Sequence, residues 1–171
     1  MPPSTDTDRA LSGRALVLLR HAKSDWTGDH ADIDRPLAKR GRRQAPEAGR
    51  WLAHGVDRVD LVVLSPSKRT RSTWKLVAAE LSDPPPVRLD DRVYTASAAE
   101  LLHVVRELPE ELDRVVLVGH NPGLEDLVER LTGVEVPMPT SALAVLAIPG
   151  AWAAVGETPA VLRAAGRPPA P

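Results

Sequence analysis

The sequence predicts an α/β fold, a three-layer α/β/α sandwich with a mainly parallel central sheet. Short aliphatic blocks bounded by polar or turn residues are typical of buried strands, because they are too short to form helices. Longer stretches between them carry apolar residues at helical spacing. Since strands and helices alternate along the chain, we expect one sheet covered by helices on both faces.

Four strands and four helices are predicted. The strands are the aliphatic blocks at residues 16–19, 61–64, 115–118 and 143–148. The helices lie between the strands, at residues 38–54, 66–81, 97–108 and 122–131.

Residues at the predicted helix ends support these assignments. Gly55 stands where the first helix should stop, and Gly133 does the same for the last. Ser97 is a suitable N-cap for the third helix, and Glu100 completes a capping box with it. Pro122 suits the first position of the fourth helix, where its missing N–H costs nothing.

The chain has the length of one domain, since 171 residues lie within the usual range of about 100–200. We expect a single domain over residues 14–165. Residues 1–13 are polar and lack periodicity, and are predicted to be a disordered N-terminal tail. Residues 166–171, mostly Pro, Ala and Arg, are predicted to be a flexible C-terminal tail.

Composition excludes several classes of function. The 22 Lys and Arg residues nearly balance the 23 Asp and Glu residues, so neither nucleic acid nor a membrane surface is an expected partner. No apolar run approaches the ~20 residues of a membrane-spanning helix. The absence of cysteine removes disulfides and thiolate nucleophiles. These features predict a soluble cytoplasmic protein.

Reactive side chains follow three of the predicted strands. Arg20 and His21 come directly after the first, Ser65 to Arg69 follows the second, and His120 follows the third. Ligands of open α/β sheets bind beyond the carboxyl ends of the strands, so these side chains are expected to converge on one crevice. Guanidinium groups match phosphate oxygens, and a neutral imidazole is a competent nucleophile. The pattern therefore predicts a phosphate site.

These segments resemble the motifs of the histidine phosphatase superfamily. Arg20-His21-Ala22 is similar to its Arg-His-Gly signature, residues 65–70 to its second arginine motif, and Gly119-His120-Asn121 to its second-histidine motif. Residues 20–24, 34–37, 89–94 and 138–142 resemble the SixA-like phosphohistidine phosphatases more narrowly. The resemblance covers residues 14–165 and implies a phosphoglycerate mutase-like fold.

The resemblance also implies a covalent mechanism without metal or other cofactor. His21 would attack phosphorus, Arg20 and Arg69 would hold the phosphoryl oxygens, and His120 would add a hydrogen-bond donor. Asp91 matches the position at which larger relatives carry a glutamate general acid, although SixA-like relatives often lack one. The substrate would be phosphohistidine on a protein.

Several alternatives stay open at this point. Ser24 could reach the phosphate or serve only as a hydrogen-bonding loop residue. A broad phosphomonoesterase acting on a small phosphate ester is the second function, favoured if Asp91 is a working acid. A binding module without turnover is the third, although an intact His21 argues against it. Ser65 is expected to be a helix N-cap, and Trp26 to pack against the protein, with a place on a substrate surface as the alternative. The oligomeric state is not predicted.

Overall fold

The computed structural model describes residues 13–170. The N-terminal tail predicted for residues 1–13 therefore lies, except for Gly13, outside the described residues. Within residues 13–170, none of the helices is long and apolar enough to cross a membrane.

One six-stranded sheet forms the centre of the molecule, with the strand order β3-β2-β4-β1-β5-β6. The strands β1 to β4 run parallel, whereas β5 is antiparallel to β1 and β6 is antiparallel to β5. The predicted mainly parallel sheet is confirmed. The strands are β1 (Ala15–Arg20), β2 (Leu61–Leu64), β3 (Val87–Leu89), β4 (Arg114–Gly119), β5 (Leu143–Ala147) and β6 (Val161–Gly166).

Four helices cover the two faces of the sheet: α1 (Lys39–Gly55), α2 (Lys68–Ala78), α3 (Ala98–Arg106) and α4 (Gly123–Thr132). Alternate residues of β1 point to opposite faces, as the period of a strand requires. Leu16 and Leu18 belong to the apolar cluster under α3 and α4, whereas Val17 and Leu19 belong to the cluster under α1 and α2. The predicted three-layer arrangement is confirmed.

The start of α3 and the end of α4 agree with the capping signals of the sequence, whereas Gly55 is the last residue of α1 and Pro122 is the residue before α4. Ser97 and Glu100 form the predicted capping box of α3. The helix α4 ends at Gly133, whose φ of 73° lies in the left-handed region that a residue without Cβ adopts at low cost. The fold therefore follows local sequence signals wherever these are strong.

Two strands were not predicted, and both lie at the edges of the sheet. The strand β3 has only three residues, and Val87 and Leu89 are about half exposed. The strand β6 alternates exposed and partly buried positions and includes Arg163. Neither carries the continuous aliphatic run that marks a buried strand. The strand β6 extends to Gly166, the first residue of the predicted C-terminal tail.

Candidate active site

The carboxyl ends of three neighbouring strands form the candidate site. The strand β4 lies between β1 and β2, and its end pairs with both, through Arg20 opposite Gly119 and Leu64 opposite Val118. The residues that follow these strands therefore meet at one edge of the sheet. The His21 N–H donates to the carbonyl of Gly119 at 3.2 Å, so the backbone itself joins two of the strand ends.

His21 has one ring nitrogen that carries no proton. Its Nδ1 donates to the carbonyl oxygen of Ala22 at 2.8 Å, so the neutral ring keeps its lone pair on Nε2. The side chain is buried. Burial, followed by the positive charges of Arg69 and Arg20, lowers the pKa of His21 from 6.5 to about 4. At neutral pH His21 is therefore an uncharged imidazole.

His120 lies beside His21, with 5.3 Å between the ring centroids. Its Nδ1 accepts a hydrogen bond from Nη2 of Arg69 at 3.3 Å, and its Nε2 donates to Oγ of Ser65 at 2.8 Å. Burial and then the charge of Arg69 lower the pKa of His120 to about 3. Both imidazoles of the site are thus neutral in the unliganded protein.

The prediction that Ser65 caps a helix was wrong. Ser67 caps α2, because its side chain accepts the N–H of Thr70. Ser65 is fully buried, and its hydroxyl is the partner of His120. The physical reason is that α2 begins two residues later than expected, which frees Ser65 to face the neighbouring strand end.

Arg20 and Arg69 carry the charge of the site. Arg20 donates from Nη1 to the carbonyl of Met138 at 3.1 Å, and Arg69 donates from Nη1 to the carbonyl of Asp32 at 2.7 Å. The buried Nε of each arginine has no hydrogen-bond partner within residues 13–170. Burial lowers the pKa of Arg20, with Glu125 acting in the opposite direction. An unpaired buried N–H is costly, so these two donors are the candidate anion ligands of the site.

The connection between β1 and α1 contributes residues that the sequence analysis did not assign to the site. The carboxylate of Asp32 accepts hydrogen bonds from Arg35, Arg69 and Tyr94. These contacts, with that of Tyr94 the strongest, hold the pKa of Asp32 well below its usual range. The same hydrogen bond raises the pKa of Tyr94. The sequence signal was weak, since Asp32 lies just before the motif at residues 34–37.

Ser24 and Trp26 lie on the same connection and both contact Arg35. The hydroxyl of Ser24 accepts from Nε of Arg35 at 3.0 Å. The guanidinium of Arg35 lies 3.7 Å from the ring centroid of Trp26. Trp26 packs against the Arg35 cation, but 69% of the residue is exposed, so it lies at the surface and not in the interior.

Asp91 stands apart from the hydrogen bonds just described. Its side chain is exposed at the start of a short 3₁₀ turn and makes no hydrogen bond or ion pair within the described part of the chain. The same turn leads into Tyr94, whose ring meets that of His120 edge-on at 5.6 Å between centroids. Asp91 is thus connected to the site through the backbone of this turn.

Two hydrogen bonds hold the backbone directly after His21. The N–H of Ala22 donates to Oγ1 of Thr73 at 2.9 Å, which attaches this segment to α2. The N–H of Lys23 donates to Oε1 of Gln44 at 3.0 Å, which attaches it to α1.

Among the described residues, no group of three or more His, Cys, Asp and Glu side chains could hold a metal ion.

Comparison with known proteins identifies related chains. The family model of the histidine phosphatase superfamily (branch 1) matches residues 16–96. An uncharacterised protein of Mycobacterium tuberculosis is 33% identical over 148 residues, which cover 80% of this chain and 91% of the relative.

Solved structures show the same architecture. A candidate phosphohistidine phosphatase SixA from Nakamurella multipartitia is 31% identical, with a TM-score of 0.79, and the match covers 91% of this chain and 96% of that one. A second candidate SixA, from Agrobacterium tumefaciens, is 30% identical, with a TM-score of 0.71 and coverage of 78% and 90%. A protein histidine phosphatase SixA complexed with tungstate shares the fold at 21% identity, with a TM-score of 0.76 and coverage of 88% and 95%.

Proposed function

Because the chain belongs to the histidine phosphatase superfamily and is a phosphatase, we propose that His21 accepts the phosphoryl group covalently and that the substrate is phosphohistidine on a protein. The observation that carries the covalent step is the free Nε2 of His21 near Arg69 and Arg20, whose Nε–H groups have no hydrogen-bond partner among residues 13–170. A nucleophile and its electrostatic stabilisers are thereby preorganised together.

The proposed reaction has two steps. Nε2 of His21 attacks phosphorus, the His21–phosphorus bond forms, and the bond from phosphorus to the leaving nitrogen of the substrate breaks. The leaving imidazole keeps the electron pair of that bond and departs as a neutral ring, because its other nitrogen carries a proton. Water then attacks the phosphorus of the phosphoenzyme, which releases inorganic phosphate and restores the His21 imidazole. Nδ1 of His21 keeps its hydrogen bond to the carbonyl of Ala22 in both steps, which holds the ring in place.

Arg20 and Arg69 would hold the phosphoryl oxygens through the N–H groups that lack partners. The negative charge of the phosphoryl group would also offset the arginine charges that depress the pKa of His120. His120 would then take up a proton on Nδ1 and donate it as a hydrogen bond to a phosphoryl oxygen, in place of accepting one from Arg69. This is the donor role expected of His120 from its sequence motif.

Support for a protein substrate comes from the rim of the site and from the solved relatives. The connections that follow β2 and β4 have only three residues each, so little chain lies over the pocket on that side. Trp26 offers an exposed aromatic surface next to Arg35. Two solved relatives at 30% identity or more are candidate phosphohistidine phosphatases.

The substrate proposal is tested by comparing kcat/KM for two substrates. One is a protein phosphorylated chemically on histidine, and the other is an alkyl phosphate monoester. The proposal predicts a kcat/KM at least about 10²-fold higher for the phosphohistidine protein, since the candidate acid Asp91 is exposed and makes no hydrogen bond or ion pair among residues 13–170 that would align it with an alkoxide. Equal values, or a preference for the ester, would favour the phosphomonoesterase function.

A further inference from the structure

We propose that Asp32 is a positioning residue for phosphoryl transfer, which holds Arg69 in the orientation that serves both the phosphoryl group and His120. The proposal rests on the proposed function insofar as Arg69 holds the phosphoryl oxygens. It adds a residue from outside the arginine and histidine motifs to the catalytic machinery.

Arg69 donates two hydrogen bonds to Asp32. Its Nη1 donates to the backbone carbonyl of Asp32 at 2.7 Å, and its Nη2 donates to Oδ2 of the carboxylate at 3.1 Å. A planar guanidinium held at both terminal nitrogens cannot rotate about its long axis without breaking a charge-assisted bond. The unpartnered Nε is therefore fixed in direction together with the rest of the group.

The orientation of Arg69 also places a hydrogen-bond donor beside His120. Nη2 of Arg69 lies 3.3 Å from Nδ1 of His120, so this nitrogen is the acceptor of the neutral ring and Nε2 carries the proton. In the unliganded site this contact keeps Nδ1 of His120 unprotonated until a phosphoryl group binds, and a displaced Arg69 would lose it. Asp32 thus acts on His120 through Arg69, without touching His120 itself.

Asp32 is held in turn by two other groups. Its Oδ1 accepts from Nη1 of Arg35 at 2.6 Å, and its Oδ2 also accepts from the hydroxyl of Tyr94. The ring of Tyr94 lies edge-on to His120, and the guanidinium of Arg69 is 6.0 Å from its centroid. Asp32 therefore receives donors from three separate segments, although its own side chain is 48% exposed.

The test compares Asp32→Asn with Asp34→Asn, which changes a carboxylate of the same 3₁₀ turn that contacts neither Arg69 nor His120. With an activated aryl phosphate as substrate, Asp32→Asn should lower kcat by about tenfold or more, since small misplacements of positioning groups cost up to about 10²-fold. The KM should stay equal or fall, because a negative charge beside the anion site is lost. Asp34→Asn should change neither constant.

The single tyrosine of the chain gives a readout that is independent of turnover, since it is Tyr94 itself. Loss of the Asp32 carboxylate should lower the pKa of Tyr94, measured by the absorbance of tyrosinate, whereas Asp34→Asn should leave it unchanged. This readout checks that Asp32 makes its contact in solution.

Three results would overturn the proposal. One is an unchanged kcat in Asp32→Asn, whatever happens to the Tyr94 titration. Another is an unchanged Tyr94 titration in Asp32→Asn. The third is a fall in kcat that comes with a raised KM and a lowered midpoint of thermal unfolding, because this indicates only local unfolding. A wild-type enzyme that forms no phosphoenzyme on His21 would instead count against the proposed function.

Discussion

His21 owes its proposed role as nucleophile to one hydrogen bond and to its surroundings. The carbonyl of Ala22 occupies Nδ1, so the lone pair of the neutral ring is on Nε2. Burial and the neighbouring arginines keep the ring uncharged at neutral pH. The sequence showed that a histidine follows a strand beside an arginine, but neither the tautomer nor the lowered pKa could be predicted, because both depend on groups distant in the chain.

The contribution of Asp91 to the rate distinguishes the two candidate substrates, phosphohistidine on a protein and a small phosphate ester. The carboxylate of Asp91 is exposed and has no hydrogen-bond or ion-pair partner among the described residues, so it is not held in line with a leaving atom. We therefore expect Asp91→Asn to lower the rate on a phosphohistidine protein by less than about tenfold, whereas loss of a positioned acid costs about 10²–10⁴-fold. Single-turnover rates of phosphoenzyme formation measure this effect. A loss of several hundredfold on the best substrate would make Asp91 the general acid.

At the scale of elements, the connection from β1 to α1 is built on contacts from both neighbouring helices. Thr73 of α2 and Gln44 of α1 bind its backbone directly after His21. Gly41 of α1 allows the helix to approach this backbone closely, since a Cβ there would lie 2.1 Å from the carbonyl oxygen of Lys23. The helices α1 and α2 thus shape the site as well as covering the sheet.

Gly41→Ala should therefore lower activity, although Gly41 itself is not a residue of the site. The new methyl group must displace backbone at Lys23, so we expect the free energy of unfolding to fall by about 1–3 kcal/mol and kcat to fall with it. Gly55→Ala in the same helix is the control, because its Cβ would meet only the Trp51 side chain, at 3.2 Å. Chemical denaturation and turnover measure both effects. Equal losses of stability and of kcat in the two variants would show that the close approach at Gly41 does not shape the site.

At the scale of the whole molecule, the fold was predictable wherever strands are buried on both faces. The strands β1, β2, β4 and β5 are recognisable in the sequence as aliphatic runs. All four helices are recognisable from their capping residues or from the spacing of their apolar residues. The edge strands β3 and β6 were missed, because half-exposed strands need few apolar residues.

The candidate site was predictable to the extent that the topology places strand ends together. Since β4 lies between β1 and β2, the residues after these strands had to meet. The roles of Asp32, Tyr94 and Ser65 depend on side-chain packing across separate connections, for which the sequence carries no local pattern.

The two buried histidines should make stability depend on pH. In the unfolded chain both bind protons as the pH falls through about 6.5, whereas in the folded protein the pKa values are about 4 for His21 and about 3 for His120. The unfolded state therefore binds more protons below about pH 6.5, and stability is lost as the pH falls from there toward about 4. The loss is at most about 1.4 kcal/mol per pH unit for each histidine.

Urea denaturation between about pH 7.5 and pH 5 measures this dependence. His21→Gln should make the dependence shallower but not abolish it, because His120 is then the one of the two buried histidines that still titrates. His54→Gln, at an exposed position of α1, should retain the slope of the wild type. A slope in His21→Gln as steep as that of the wild type would show that His21 does not carry the effect.

The most direct test of the central claim is to trap the phosphoenzyme. The protein is mixed with an excess of a histidine-phosphorylated protein in the presence of EDTA, quenched with base within the first turnover, and mapped by mass spectrometry. We predict one phosphoryl group per chain on His21, with no such adduct in His21→Ala. A phosphoryl group on another residue, or full turnover by folded His21→Ala, would contradict the covalent role of His21.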